Sequence, residues 1–413
     1  MLLFDNKKAR LLNFLKLGIN PFKKFVITGE IKEDLSLVKS RKEFLDKIVK
    51  VIENEKNFIL PIVGEVGIGK THLFWALKNK LYYHNAFYIS LENVIKKFFY
   101  NIYSEFIEAI GVEPLRNIVN HICNQWGALE RKFGFFHVAN IEKVRKIAFN
   151  KLSEQYPQDE RFALLDIING ITTHQLDLYK KVEAEGWLLA ELMNIKELSS
   201  LNMRHDLRNS KTAYIMLKLL IENSKLGSVL FIDDFEKAIT MTKPVIELET
   251  ESEEVFDRSW LYGKKSSPDN LLKSKKIFEK LFKLNQINGL RIIIMLNSLN
   301  CLGEIKRKLR NIDGEVILNI KEPMIIPKLD ENDTHEIYKK NLKVFLESID
   351  FGDYLKQFPN ELFPLNEEIL HKIFQKSSGN PREIMKLLIK LFNEIIYSSD
   401  NLNTILEDFL NSN

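Results

Sequence analysis

Cysteine is nearly absent from this sequence. Cys123 and Cys301 are the only two, far apart and outside any metal-ligand spacing. That excludes a disulfide scaffold and leads us to expect a reducing, cytoplasmic setting. Long apolar runs are missing as well. The longest, Ile292-Ile293-Ile294-Met295-Leu296, is strand-sized, whereas a helix needs roughly 20 such residues to span a bilayer. The first residues, Met1-Leu2-Leu3-Phe4-Asp5-Asn6-Lys7-Lys8, lack the charged-then-apolar layout of a signal peptide, so export is not expected. The eight histidines are scattered with no H-E-x-x-H pair, which speaks against a zinc hydrolase. A dominant charge is lacking too: 60 Lys and Arg against 56 Asp and Glu leave a net charge of +4, with an isoelectric point near 8.6. Dedicated nucleic-acid modules usually exceed about 9, so this balance permits DNA contact without demanding it. There is no internal repeat and no low-complexity tract.

What is present is a globular composition, 45% apolar and 28% charged over 413 residues, long enough for two or three packed units. A short basic lead is followed by a helix at Arg41-Lys42-Glu43-Phe44-Leu45-Asp46-Lys47-Ile48, with Phe44, Leu45 and Ile48 on one face. The apolar strand Asn57–Val63 follows, with Pro61 as a local irregularity, then a glycine-rich stretch and the helix His72–Leu77. A second strand, Phe87-Tyr88-Ile89-Ser90, leads into a long amphipathic helix through Tyr103 and Phe106. From about 110 to 225 the pattern reads as almost wholly helical, with periodic segments at Ile141–Leu152, Phe162–Ile168, Leu176–Leu189 and Thr212–Ile221. Gly227–Ile232 is a continuous apolar strand of the kind buried on both faces of a parallel sheet. A polar loop comes next, acidic first (Glu247, Glu249, Glu251, Glu253, Glu254) and then basic (Lys264, Lys265, Lys273, Lys275, Lys276). The strand Leu290–Leu296 precedes a tail that is helical beyond Pro327, with Asp333 and Glu336 as a capping pair. The expected fold is an α/β parallel-sheet core with a helical insertion and a C-terminal α-helical lid. We divide it as 1–110 (N-terminal segment and first part of the core), 111–210 (insertion), 211–325 (rest of the core) and 326–413 (lid).

The strongest chemical signal is Gly64-Glu65-Val66-Gly67-Ile68-Gly69-Lys70-Thr71, followed by His72. Triphosphate binding needs a turn whose amides point inward, a cation for the β/γ-phosphates (Lys70) and a hydroxyl for Mg²⁺ (Thr71). The next helix lays its positive dipole end on the phosphates. A neighbouring strand must then end in a carboxylate, and Val229-Leu230-Phe231-Ile232-Asp233-Asp234-Phe235-Glu236 supplies one. Asp233 is the candidate metal ligand. Asp234 or Glu236 would direct the attacking water; Asp234 is one methylene short of the usual glutamate, so slow hydrolysis is expected. Asn297, at the end of its strand, is a γ-phosphate or water contact, or merely a turn-former. In Ser378-Gly379-Asn380-Pro381-Arg382-Glu383, Asn380 caps a helix that begins with Pro381. That leaves Arg382 to project toward a γ-phosphate or to pair on the surface. Arg307 and Arg310, in Glu304-Ile305-Lys306-Arg307-Lys308-Leu309-Arg310, are either a solvated basic face or an arginine finger for a neighbouring subunit. Trp126, Phe133, Phe135 and Phe136, with Arg131 and Lys132, read as packing at helical spacing, the alternative being nucleic-acid stacking.

With these motifs in this order the chain resembles the AAA+ ATPases. The likeness is to the branch holding the archaeal replication initiators of the Orc/Cdc6 type. Ser40-Arg41-Lys42-Glu43, the glycine-rich loop and Ile232-Asp233-Asp234 carry it, with Asn297 as sensor 1 and Gly379-Asn380-Pro381-Arg382 as sensor 2. The resemblance implies a sheet of order 5-1-4-3-2, the strand of Asn297 lying between those of the P-loop and Asp233. Two departures stand out. The stretch after Arg382 (residues 383–413) is too short for the initiators' winged-helix domain, and the insertion is foreign to them. The end of the insertion, Trp187-Leu188-Leu189-Ala190-Glu191-Leu192, resembles the ATP-binding proteins of BREX phage-defence systems. Together these likenesses imply an ATPase using ATP and Mg²⁺ in a DNA-linked process such as replication, transposition or anti-viral defence. It would act as an oligomer or hetero-complex, with protein partners reached through the insertion and no membrane involvement. The alternatives are a nucleotide-dependent signalling switch, or an ATP-binding scaffold that engages protein rather than DNA.

Overall fold

The structure, a computed structural model, describes residues 2–22, 38–91, 97–132, 135–138, 140–240, 268–310 and 319–412. Glu247, Glu249, Glu251, Glu253, Glu254, Lys264, Lys265 and Phe133 lie outside them. The chain forms two compact units: Met1–Val51 with Val63–Lys80 and Ile325–Asn413, and Ile52–Ile62 with Leu81–Met324.

The strands, except for the terminal residues Val63 and Ile325, which fall in the first unit, belong to the second. They are β1 (Phe58–Val63), β2 (His84–Ser90), β3 (Leu129–Lys132), β4 (Phe135–Val138), β5 (Gly227–Asp233), β6 (Leu290–Leu296) and β7 (Met324–Ile325). Five of them make one parallel sheet in the order β2-β5-β6-β1-β7. Counting only these five along the chain, that is the 5-1-4-3-2 order implied above. β5 and β6 are apolar and buried almost throughout, as strands covered on both faces must be. The register sets Ser90 beside Asp233 and Ile232 beside Ile294, so the carboxyl ends of the strands share one edge.

Pro61 stands in the middle of β1 without interrupting it. The carbonyls of Ile59 and Val63 accept from Lys321 (2.9 Å) and Ile326 (2.8 Å). Odd-numbered residues of β1 therefore face the two-residue edge strand β7, and Pro61 has the same parity. Its missing N–H falls on the side of the two-residue strand β7, so the ladder toward β6 loses no donor.

Among its described residues the insertion is helical apart from one antiparallel hairpin, β3–β4. That corrects the expectation of helical spacing for Arg131, Lys132, Phe135 and Phe136: Phe-Phe-His-Val is β-prone, and the preceding helix stops at Gln125 before Gly127 turns at φ +86°. Trp126 is buried as expected. Helix Arg161–Leu176 passes close to Trp187, so close that a Cβ on Gly170 would sit 2.8 Å from the indole. The periodic segment Leu176–Leu189 is not one helix, because the chain turns at Asp177 and restarts at Lys181. Lys273, Lys275 and Lys276 belong to helix Pro268–Asn285 rather than to a polar loop. Ile277, Phe278, Leu281 and Leu284 bury its inner face, a period masked in the sequence by the lysines around it. No helix among the described residues is long and apolar enough to cross a membrane.

The first unit has its own core. Helices Glu331–Ser348, Glu367–Ser377, Pro381–Tyr397 and Leu402–Asn411 are joined by the N-terminal helix Leu2–Leu15. Leu11, Leu15 and Phe22 are fully buried there, and Phe22 lies 5.9 Å from Tyr338 and 4.8 Å from Phe392, centroid to centroid. The cap of helix Glu331–Ser348 lies three residues earlier than expected. Asp330 is the N-cap in extended conformation and Asp333 completes a reciprocal box with it. Glu336 lies deeper in the helix and accepts the Lys39 amide at 3.2 Å instead.

Candidate functional site

In the first unit the chain leaves β1 into the glycine-rich loop. Gly67 and Gly69 adopt φ +82° and +99°, conformations that side chains with a Cβ avoid. A Cβ on Gly69 would meet nothing within 4 Å, so φ alone selects glycine there. Helix Lys70–Lys78 starts at Gly69 with no side-chain cap. Its first turn, with Lys70, the exposed Thr71 and His72, keeps the amide ends and positive dipole that favour an anion. The Lys70 ammonium donates to the carbonyls of Gly64 (2.8 Å) and Glu65 (3.2 Å), folding over the loop. Glu65 also pairs with Lys328 at 3.1 Å, while the Val66 side chain stands out from the loop, 61% exposed. These residues fit a bound triphosphate.

The Gly379–Arg382 turn packs on the same loop. Asn380 caps helix Pro381–Tyr397 and Pro381 is its first residue, as expected. The Asn380 amide also donates to the Val66 carbonyl at 2.9 Å, and the Arg382 N–H to the Gly67 carbonyl at 3.3 Å. A Cβ on Gly67 would lie 2.8 Å from the Arg382 Cβ. The first unit thus brings Arg382 to the loop, with its side chain exposed.

In the second unit the ends of β2, β5 and β6 gather another set of groups. Asp233 closes β5 as a buried carboxylate and accepts the Tyr88 hydroxyl at 3.0 Å and the Asp234 amide at 2.9 Å. Asp234 takes φ +54°, unusual for a residue with a side chain. The chain turns there to bury Phe235, whose ring meets Phe278 edge-on at 5.8 Å. That turn separates the two carboxylates proposed for water activation. Asp234 turns toward β2 and accepts the Ser90 hydroxyl at 2.8 Å. Glu236 turns toward β6 and accepts a hydrogen bond from the Asn297 amide.

Arg307 and Arg310 are exposed on helix Leu299–Arg310, and neither makes an ion pair among the described residues. Lys308 anchors that helix instead, its ammonium 3.3 Å from Ser274 Oγ and 5.4 Å from the Phe278 ring centroid. Burial holds this lysine's pKa below its usual value.

Sequence reasoning missed Tyr88 and Ser90 as partners of the acidic pair. Only the β2–β5 register reveals them, since they lie more than 140 residues away in sequence. No family model matches the chain, and no curated protein matches it.

Proposed function

We propose that the chain binds Mg²⁺·ATP on the Gly64–Thr71 loop and hydrolyses it, as an AAA+-type ATPase in a DNA-linked process. The observation that carries the nucleotide reading is the loop itself. Two left-handed glycines, a helix start with no side-chain cap and a lysine folded over the loop meet the requirements of a phosphate cradle. The strand order and the helical lid support the AAA+ assignment. The DNA-linked process rests on the motif resemblance.

The bound ion and nucleotide supply a polarised terminal phosphoryl group. On this reading Lys70 would exchange its loop carbonyls for phosphate oxygens and the Thr71 hydroxyl would take the metal, with Asp233 as the further metal ligand that the motif resemblance implies. Glu236, held by Asn297, would direct the water, and Arg382 would contact the γ-phosphate of a nucleotide on the loop it packs against. Asp234 is assigned a supporting role because its carboxylate turns to Ser90 on β2, while Glu236 turns to Asn297, the residue matched to sensor 1. Arg307 or Arg310 serves a neighbouring subunit.

A protein-partner reading draws on a different observation. Leu178, Tyr179, Val182, Leu192 and Ile195, all within one short stretch of the insertion, are between 68% and 99% exposed. Apolar side chains exposed in such density favour protein contact. The decisive experiment is ATP turnover with and without single- and double-stranded DNA, comparing wild type with Lys70→Ala. The variant is expected to lose about 10²–10³-fold in turnover, as for removal of a transition-state charge contact. A Lys70→Ala protein as active as wild type would sink the nucleotide reading. Turnover indifferent to both DNAs would sink the DNA-linked one and favour the protein partner.

A further inference from the structure

The stretch Ser40-Arg41-Lys42-Glu43 has no part in the chemistry assigned so far, yet Arg41 is among the most buried charged residues of the first unit. It is 8% exposed, and its Nη2 donates to the Ile68 carbonyl of the phosphate loop at 3.1 Å. Burying a guanidinium is costly unless its hydrogen bonds are made to fixed partners. Burial pushes the Arg41 pKa down to about 10, opposed by the Asp333 charge, so the side chain stays charged at neutral pH. Asp333 is itself 4% exposed and accepts the neighbouring Ser40 hydroxyl at 2.7 Å. It is also half of the capping box that starts helix Glu331–Ser348.

Three consecutive loop carbonyls are therefore held from outside. Val66 is held by the Asn380 side chain, Gly67 by the Arg382 amide and Ile68 by Arg41. In a phosphate loop the amides serve the ligand, so carbonyls gripped from behind fix the direction of the following amides. The grips at Val66 and Gly67 come from Asn380 and Arg382 at the start of the lid helix, whereas the grip at Ile68 comes from the helix of Arg41, which meets helix Glu331–Ser348 through Ser40–Asp333 and Lys39–Glu336.

We propose that Arg41 is a positioning residue: it orients the phosphate loop through the Ile68 carbonyl and ties that orientation to the lid through Asp333. The proposal rests on the nucleotide reading above. It goes beyond it by making ATP affinity depend on a residue that needs no contact with the nucleotide.

The test is a titration of the full chain with a fluorescent ATP analogue and Mg²⁺, resolving affinity from the number of competent sites. Wild type is compared with Arg41→Gln, Arg41→Lys, Asp333→Asn and Lys70→Ala. Loss of a hydrogen bond to a charged group is expected to weaken Arg41→Gln by about tenfold or more at unchanged stoichiometry. Arg41→Lys, which keeps a charged donor, should recover part of that loss. Asp333→Asn should weaken binding in the wild-type background and much less in Arg41→Gln, because the two act through one connection. A merely structural role would instead lower the fraction of competent sites and leave the affinity of the remainder untouched; that result overturns the proposal, as does an Arg41→Gln affinity equal to wild type. Should wild type bind no better than Lys70→Ala, the nucleotide reading itself fails and the positioning role falls with it.

Discussion

The glycine-rich loop and the acidic strand end are built on opposite principles. In the loop, backbone groups do the holding: carbonyls of Gly64 to Ile68 accept from Lys70, Asn380, Arg382 and Arg41, and left-handed glycines shape the turn. At the strand end, side chains do it: Tyr88 with Asp233, Ser90 with Asp234, Asn297 with Glu236. Backbone geometry leaves a mark on sequence because it restricts which residue types fit. Side-chain direction leaves almost none, since Asp-Asp-Phe-Glu reads the same whichever way each carboxylate turns. The comparison teaches where a sequence can name a site and where it can only nominate residues for it.

The largest effect should come from disturbing the backbone-built region. Gly379 sits at φ +74°, and a Cβ there would lie 2.2 Å from the Leu329 carbonyl oxygen, which belongs to backbone that cannot swing aside. Gly379→Ala should cost about 3 kcal/mol or more, combining left-handed strain with a steric clash. Urea unfolding monitored on the full chain measures it. Gly69→Ala is the control, because its Cβ meets nothing and only the φ cost of about 1–2 kcal/mol remains. Equal losses for the two would mean that φ, not crowding, selects glycine at 379.

How far the fold could be read in advance follows the same division. The strand–loop–helix around Lys70, the apolar strands ending at Asp233 and Leu296, and the Asn380-Pro381 helix start were legible because each carries a local signature. The β3–β4 hairpin and the helical lysines at 273, 275 and 276 were not, because charge and aromatic content hid the period. The N-terminal helix Leu2–Leu15 was equally opaque. Nothing local says that Leu11, Leu15 and Phe22 complete the core of a helical unit formed mainly by residues beyond 325. Of the site, Ser90 and Arg41 were legible only as members of a strand and of a matched motif. Their partners depend on strand register in one case and on the path of a buried side chain in the other.

A smaller effect separates the two carboxylates. If Glu236, bonded to Asn297, directs the water, Glu236→Gln should lower turnover by about 10²-fold while ATP binding persists, the range for loss of a general base. Asp234→Asn should lower it by less than about tenfold, because an amide can still accept the Ser90 hydroxyl. Single-turnover assays at saturating ATP distinguish the two. The reverse ranking would return the water-directing role to Asp234 and make the Asn297–Glu236 contact a structural pairing.

The smallest effect concerns the stability of that same turn. Holding an L-residue with a side chain at φ +54° costs about 1–2 kcal/mol, and asparagine tolerates the left-handed region at least as well as aspartate. Asp234→Asn also removes one of the three carboxylates carried by the four residues from Asp233 to Glu236. We therefore expect the variant to unfold within about 0.5 kcal/mol of wild type, on the stable side, as judged by thermal melts without nucleotide. Asp234→Val adds β-branched strain at this φ and loses the acceptor for Ser90, so it should melt earlier than either. A clear destabilisation by asparagine would show that the negative charge itself holds Ser90 and β2 in register. The strand end would then depend on electrostatics rather than on the burial of Phe235.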